Sequence, residues 1–182
     1  MKFTKTGFDG LLIIEPVVYS DSRGYFMESY NSEVFREEGI SFVPVQDNES
    51  RSARGVIRGL HYQLRPFDQT KLIRVIEGKI LDVVVDLRKT SETFGKWFSI
   101  ELDSENRKQL FIPRGFAHGF SVSSKFAVIQ YKCDNIYNPG SERGISVNDP
   151  VLGIDWKTDR SLAIISEKDL KLPHFHNAEN NF

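Results

Sequence analysis

Gly55-Val56-Ile57-Arg58-Gly59-Leu60-His61-Tyr62-Gln63, continued by Asp68-Gln69-Thr70-Lys71-Leu72-Ile73-Arg74-Val75, decides how the chain is read. Side chains alternate along an extended strand, so Val56, Arg58, Leu60 and Tyr62 are expected on one side and Ile57, His61 and Gln63 on the other. Lys71 opens a second apolar run, Leu72 to Glu77, and Gly78 parts it from a third, Lys79 to Asp86. Two cations and an imidazole therefore lie among hydrophobic strand residues. On the residues alone, Arg58, His61 and Lys71 are either ordinary polar residues at a barrel mouth or members of a site.

Working outward, Leu11 to Ile14 and Val17 to Tyr19 read as strands parted by Glu15-Pro16, and Asp21-Ser22-Arg23-Gly24 reads as a turn before a strand from Tyr25 to Tyr30. Asn31 or Ser32 caps a short helix, Glu33 to Glu38, that Gly39 ends. Phe42 to Gln46 is predicted as a strand leading into a turn at Asp47-Asn48. Thr93 to Leu102 and Leu110 to Ile112 are further strands, with a polar turn from Asp103 to Lys108 between them. Pro113-Arg114-Gly115-Phe116-Ala117-His118-Gly119-Phe120 carries glycines that signal tight turning near a site. Phe126 to Cys133 is almost continuously apolar, which predicts burial on both faces. Asp134 to Gly144 reads as a polar loop, and residues 171–182 as a loose polar tail. Many short strands with few helices predict a mainly β sandwich or barrel.

Composition narrows the function classes. With 182 residues, 40% of them hydrophobic, a single domain over 1–182 is expected. The 24 basic and 25 acidic side chains leave a formal charge of -1, which speaks against nucleic acid or an anionic membrane as partner. No apolar run is long enough to cross a bilayer, and Met1-Lys2-Phe3 does not lead into a signal-peptide core. Cys133 is the only cysteine, so no intrachain disulfide forms, and a reducing, cytoplasmic setting is expected.

The spacing Gly55…His61-x-Gln63…Glu77-Gly78, followed by Pro113-x-Gly115-x-x-His118, has the shape of the two cupin boxes. Metal-bearing cupins place a second His where Gln63 stands, which leaves His61 and His118 as the only imidazoles of the set. A borderline divalent metal wants more converging His, Cys or carboxylate ligands than that. His174 and His176, after Pro173, read as solvated. A metal-free jelly roll is therefore expected, with a metal-dependent cupin as the rival.

Several stretches taken together resemble the dTDP-4-dehydrorhamnose 3,5-epimerase family. They are Val56 to Gln63, Lys71 to Val75, Asp82-Val83-Val84-Val85-Asp86-Leu87-Arg88 and Pro113 to Phe120. Asp21-Ser22-Arg23-Gly24 with Glu28-Ser29, Gln46-Asp47-Asn48 and Tyr131-Lys132-Cys133 complete the set, in order from about Leu11 to Asp169. The resemblance implies a cupin-like jelly-roll homodimer that acts on dTDP-4-dehydro-6-deoxy-glucose with no cofactor and no metal. A C3-only epimerase and a non-catalytic sugar-nucleotide binding module share the same expectations of fold.

Epimerising a carbon beside a ketone needs a base, donors for the enolate oxygen and an acid on the opposite face. His61 suits the base, since a free imidazole titrates at ~6.5. By resemblance, Asp169 orients that imidazole, Lys71 faces the developing oxyanion and Tyr131 is the acid. On the residues alone Tyr131 reads as a core aromatic at a strand end rather than as an acid. The resemblance places Arg23, Glu28, Gln46, Asp47, Asn48, Arg58, His118, Glu142 and Lys168 against the nucleotide-sugar and stacks Tyr137 on the thymine. It sends Arg23 and Glu28 into the neighbouring subunit's site. Val147, Ile136 and Asp68 depart from the Trp, Tyr and Ala that members of this family often carry.

Overall fold

The computed structural model describes residues 1–159 and 161–182. Its strands in chain order are β1 (Lys2–Lys5), β2 (Leu12–Glu15), β3 (Val18–Asp21), β4 (Gly24–Met27), β5 (Gln46–Ala53), β6 (Ile57–Gln63) and β7 (Lys71–Glu77). They continue with β8 (Lys79–Asp86), β9 (Trp97–Asp103), β10 (Gln109–Ile112), β11 (Phe116–Val122), β12 (Phe126–Cys133) and β13 (Glu142–Gly144). Two short helices, α1 (Ser32–Glu37) and α2 (Glu167–Leu170), and a 3-10 turn at Phe175–Asn177 complete the described elements. Asn31 caps α1 by accepting from the amides of Glu33 and Val34, and Gly39, at φ +77°, leads out of it.

The strands form an antiparallel six-stranded sheet, β1-β2-β10-β7-β12-β5, and a five-stranded sheet, β13-β6-β11-β8-β9, with β3 and β4 paired as a separate hairpin. Alternation turns Ile73 and Val75 of β7, Leu110 and Ile112 of β10, and Ala127 and Ile129 of β12 inward from the first sheet. Ile80 and Val84 of β8, Leu102 of β9, and Phe116, Phe120 and Val122 of β11 meet them from the second, as one buried cluster. Each such Ile, Val or Leu contributes ~1.5–3 kcal/mol by leaving water. The many short strands predict a sandwich or barrel, and this is the cupin-like jelly roll that the cupin-box spacing and the family resemblance imply.

Each sheet also has a covered outer face. Phe35 of α1 and Phe42 pack with Ile14, Leu72 and Phe111 on the six-stranded sheet. The chain after Gly144 covers the five-stranded sheet, with Ile145, Val147, Leu152 and Trp156 packed on Leu60, Tyr62, Val83 and Val85. Val147 is thus a core residue, while Ile136 is exposed. Asp68 is buried within reach of Arg65 and Arg114. No helix among the described residues is long and apolar enough to cross a membrane.

Several expectations fail, each for a tertiary reason. Pro113 to Phe120, read as tight turning, is a strand from Phe116 on because β6 and β8 pair with it on either side. Asp47 and Asn48 lie inside β5 rather than in a turn, and Phe42 to Val45 is not a strand. Continuous pairing with β12, from Phe126↔Ala53 to Cys133↔Gln46, overrides the local turn preference. Strand β12 is not buried on both faces: Ala127, Ile129 and Cys133 are buried, whereas Val128, Gln130 and Lys132 are partly exposed, because its outer side is only partly covered. Glu142 to Gly144 is a strand, drawn out of the loop by pairing with Gln63, Tyr62 and His61. The tail is pinned, not loose. Phe175, Ala178 and Phe182 pack against the outer cluster, the Tyr62 hydroxyl donates to the Glu179 carbonyl, and Asn180 Nδ2 donates to the Leu87 carbonyl. Its polar composition hid three apolar anchors spaced three and four apart.

Candidate active site

At one end of the interior the apolar filling stops, and two adjoining cavities of about 480 and 210 Å³ open. His61, Lys71 and Tyr131 line both, so they stand at the junction. The larger cavity adds Arg58, His118, Lys168 and Asp169, and the smaller adds Gln46, Asn48, Tyr137 and Glu142. Lys71 and Tyr131 continue the inward rows of β7 and β12 beyond Ile73 and Ile129, and His118 continues that of β11. The inward residues of β5 are Gln46, Asn48, Ser50 and Ser52. Polar on both faces, that strand has no hydrophobic alternation by which it could be read as a strand.

Arg58 and His61 reach the same cavity although strict alternation places them on opposite sides, which corrects the expectation for β6. The register between β6 and β11 shifts between the pairs His118↔His61 and Phe120↔Arg58. Gly59 and Leu60 there oppose the single residue Gly119, as in a β-bulge, and the side-chain phase slips by one. The two backbones meet at glycine: a Cβ on Gly59, at φ +123°, would lie 2.6 Å from the Gly119 Cα. Leu60 is thereby turned outward into the cluster under the tail, and His61 inward.

The His61 Nε2 lies 2.8 Å from Asp169 Oδ1. An ionised carboxylate can only accept, so Nε2–H donates and Nδ1 is the basic nitrogen. Asp169 is fixed on α2, where Ser166 Oγ accepts from its amide, and its second oxygen accepts from Gly59 N–H at 3.3 Å. Burial raises its pKa, but the hydrogen bonds from His61, Gly59 and Ser166 outweigh burial and leave it below the ordinary aspartate value. Burial pushes the Tyr131 phenol upward, with Cys133 adding and Arg58 opposing, so the phenol keeps its proton. Burial pulls the Lys71 ammonium downward, opposed by Cys133, Asp82 and Glu142.

The remaining residues fall into two groups. Arg58 Nε donates to Ser52 Oγ at 3.0 Å. Glu142 Oε2 accepts from Lys168 Nζ at 2.6 Å and from the Tyr137 hydroxyl at 2.7 Å, which ties three expected site residues into one cluster. Burial raises the Glu142 pKa, but those two bonds bring it below the ordinary glutamate value. Gln46 holds the loop by accepting from Tyr137 N–H. Three residues are not brought to the cavity. Asp47 faces outward and pairs with Lys132, Arg23 pairs with Asp21 on the β3–β4 hairpin, and Glu28 accepts from Asn31.

Gln63 is structural: its amide donates to the Phe67 carbonyl and its carbonyl accepts from Asn138 N–H. Among the described residues no group of three or more His, Cys, Asp or Glu is placed to hold a metal. The sequence reading missed Ser52, Ser166 and Asp82. Asp82 had a legible signal, as a lone carboxylate inside the apolar run Ile80 to Val85.

A family model described as dTDP-4-dehydrorhamnose 3,5-epimerase matches residues 5–177. The chain is 53% identical over 169 residues to the dTDP-4-dehydrorhamnose 3,5-epimerase of Methanothermobacter thermautotrophicus, covering 92% of this chain and 91% of the relative. Its structure is similar to the crystal structure of the dTDP-4-dehydrorhamnose 3,5-epimerase of Elizabethkingia anophelis, at 50% identity and a TM-score of 0.94, covering 100% of this chain and 99% of that one. It is also similar to the dTDP-6-deoxy-D-glucose-3,5-epimerase of Legionella pneumophila in complex with dTDP-4-keto-L-rhamnose. Identity there is 45% and the TM-score 0.92, with 97% and 93% of the two chains covered.

Proposed function

The chain belongs to the dTDP-4-dehydrorhamnose 3,5-epimerase family, and on that premise we propose that His61 and Tyr131 epimerise dTDP-4-dehydro-6-deoxy-D-glucose at C3 and C5. The product is dTDP-4-dehydro-L-rhamnose, on the route to dTDP-L-rhamnose. The observation that carries this reading is the junction of the two cavities, where an imidazole, an ammonium and a phenol converge from β6, β7 and β12.

His61 Nδ1 removes the proton beside the C4 ketone, and Asp169 stabilises the imidazolium that forms. The electron pair moves onto the C4 oxygen as an enolate, which Lys71 faces as a preorganised cation. Tyr131, on the sheet opposite His61, returns a proton to the other face of the carbon and is then reprotonated from solvent. The His61 imidazolium gives its proton up to solvent, so that the cycle is proton-neutral. Arg58, His118 and Lys168 hold the sugar and diphosphate, for which Arg is suited by its planar donor fork. Tyr137 stacks on the thymine, with Gln46, Asn48 and Glu142 around it. Residues 1–182 act in this reading as one catalytic domain, without metal or cofactor.

Arg23, Glu28 and Asp47 require a second copy of the chain or another contact. The β3–β4 hairpin exposes Tyr19, Tyr25 and Phe26, the last at 69%, beside Arg23. This supports a homodimer in which Arg23 and Glu28 reach the neighbour's substrate; a monomeric mass in sedimentation at assay concentration would remove that part. Cytoplasmic placement rests on the buried, unpaired Cys133 thiol and is overturned by recovery of the protein outside the cytoplasmic membrane.

Incubation with dTDP-4-dehydro-6-deoxy-D-glucose in deuterated water tests the reaction. Deuterium at both C3 and C5, with inversion, is the expected outcome. Label at C3 alone identifies a 3-epimerase, and label at neither carbon sinks the catalytic reading.

A further inference from the structure

The site holds a second histidine–carboxylate pair. His118 Nε2 lies 2.9 Å from Asp82 Oδ2, and the side-chain exposures are 9% and 0%. His118 is the cross-strand partner of His61, so the two imidazoles enter the larger cavity from neighbouring strands of one sheet. Asp82 does not line that cavity. It sits behind His118 on the inward face of β8, between Ile80 and Val84. Its Oδ1 is buried and finds no hydrogen-bond partner among the described residues.

A purely structural role fits these facts poorly. The inward neighbours on the same strand are apolar and fully buried, and a buried carboxylate with an idle oxygen disfavours folding relative to them. What the carboxylate does face is functional. It accepts a proton-bearing nitrogen of a cavity-lining imidazole, and its charge acts on Lys71.

We propose that Asp82 is a positioning residue of the epimerisation site: it accepts the Nε2–H of His118, turns the Nδ1 of that ring toward the substrate, and sets a buried carboxylate directly behind the ring. The proposal rests on the reading of this cavity as the epimerase site. As a donor-only partner is needed opposite a carboxylate, His118 keeps the Nε2 proton whether the ring is neutral or charged. The groups around Lys71 are Asp82 on β8, Cys133 and Tyr131 on β12, Glu142 on β13, Arg58 and His61 on β6, and His118 on β11. Lys168 and Asp169 on α2 line the same larger cavity. Of these, burial of Lys71 is opposed by Cys133, Asp82 and Glu142, and of the two carboxylates Asp82 is the fully buried one, bonded to His118.

Asp82→Asn keeps the size and one acceptor but removes the charge. With the parent enzyme as reference, kcat is expected to fall on the order of 10- to 100-fold with KM within about threefold. The alkaline limb of kcat is expected to move to lower pH by about one unit, because one nearby negative charge no longer favours the Lys71 cation. An unchanged alkaline limb with kcat within about twofold of the parent overturns the proposal. If the parent itself exchanges no deuterium, the epimerase reading fails instead, so the two failures are told apart. Should Asp82→Asn not fold, nitrogen-15 spectra of the parent decide: His118 must carry its proton on Nε2 at neutral pH, and a ring protonated on Nδ1 alone overturns the assignment.

Discussion

The two histidine–carboxylate pairs of this protein lie side by side on one sheet and differ in almost everything else. His61 is 31% exposed and its partner Asp169 arrives from α2, a four-residue helix outside the barrel, 108 residues along the chain. His118 is 9% exposed and its partner Asp82 belongs to the adjacent strand. The outer carboxylate is fully engaged, accepting from His61 and from Gly59 N–H. The inner one leaves an oxygen idle. Access and partner origin therefore suit the open pair to proton transfer with substrate, and the sealed pair to fixing orientation and charge.

The largest expected effect breaks or upholds that division directly. His61→Asn should lower deuterium wash-in at both C3 and C5 by on the order of 10²–10⁴, whereas His118→Asn should cost about tenfold. Comparable losses in the two variants, measured by proton NMR of the substrate, would mean that either imidazole can serve as base.

A second test asks whether the open pair works with a donor from the facing sheet. Tyr131→Phe keeps the ring and removes the only donor it carries. Formation of inverted product should fall by about two to four decades, while His61 continues to exchange deuterium with retention at the first carbon to react. Near-parent inversion would return Tyr131 to the core aromatic that its place in the Ile129, Tyr131, Cys133 row would otherwise make it.

The smallest effect concerns stability in acid. The folded-state pKa of Asp169 lies below the ordinary aspartate value, so its contribution is present above that ordinary value and is lost as pH falls through the depressed one. Asp169→Asn should therefore narrow the stability gap to the parent as the pH is lowered below about 4, followed by urea unfolding at stepped pH. A gap that stays constant or widens toward acid would show that His61 and Asp169 are not coupled in folding.

The jelly roll and much of the site were legible because they rest on local patterns. The apolar runs Leu72 to Glu77 and Lys79 to Asp86 announce β7 and β8, and Asn31 and Gly39 mark the ends of α1. Pro113 to Phe120, by contrast, reads as tight turning, and only pairing with β6 and β8 makes Phe116–Val122 the strand β11. Lys71 heads the first of those runs in phase with Ile73 and Val75, so its inward direction follows from the period of two. The inward direction of Tyr131, in the near-continuously apolar β12, is set only by the fold. Strand β5 was not legible: Gln46, Asn48, Ser50 and Ser52 face a cavity and Asp47, Glu49 and Arg51 face solvent, so neither side has a hydrophobic signature. The pinned tail was missed because Phe175, Ala178 and Phe182 bury their apolar surface against strands far back in the chain.

What the sequence determined by itself is the set of chemical groups and the strands that carry most of them. The family resemblance joins His61, Asp169, Lys71 and Tyr131 into one site. Only the tertiary structure decided which groups share a cavity. The contact of Gly59 with Gly119 slips the phase of β6 and brings Arg58 and His61 to one side. The packing of β8 behind β11 sets Asp82 against His118. Both depend on pairing between strands distant in sequence, and the free energy of such pairing comes from burial and register across the sheet, which no local window of residues contains.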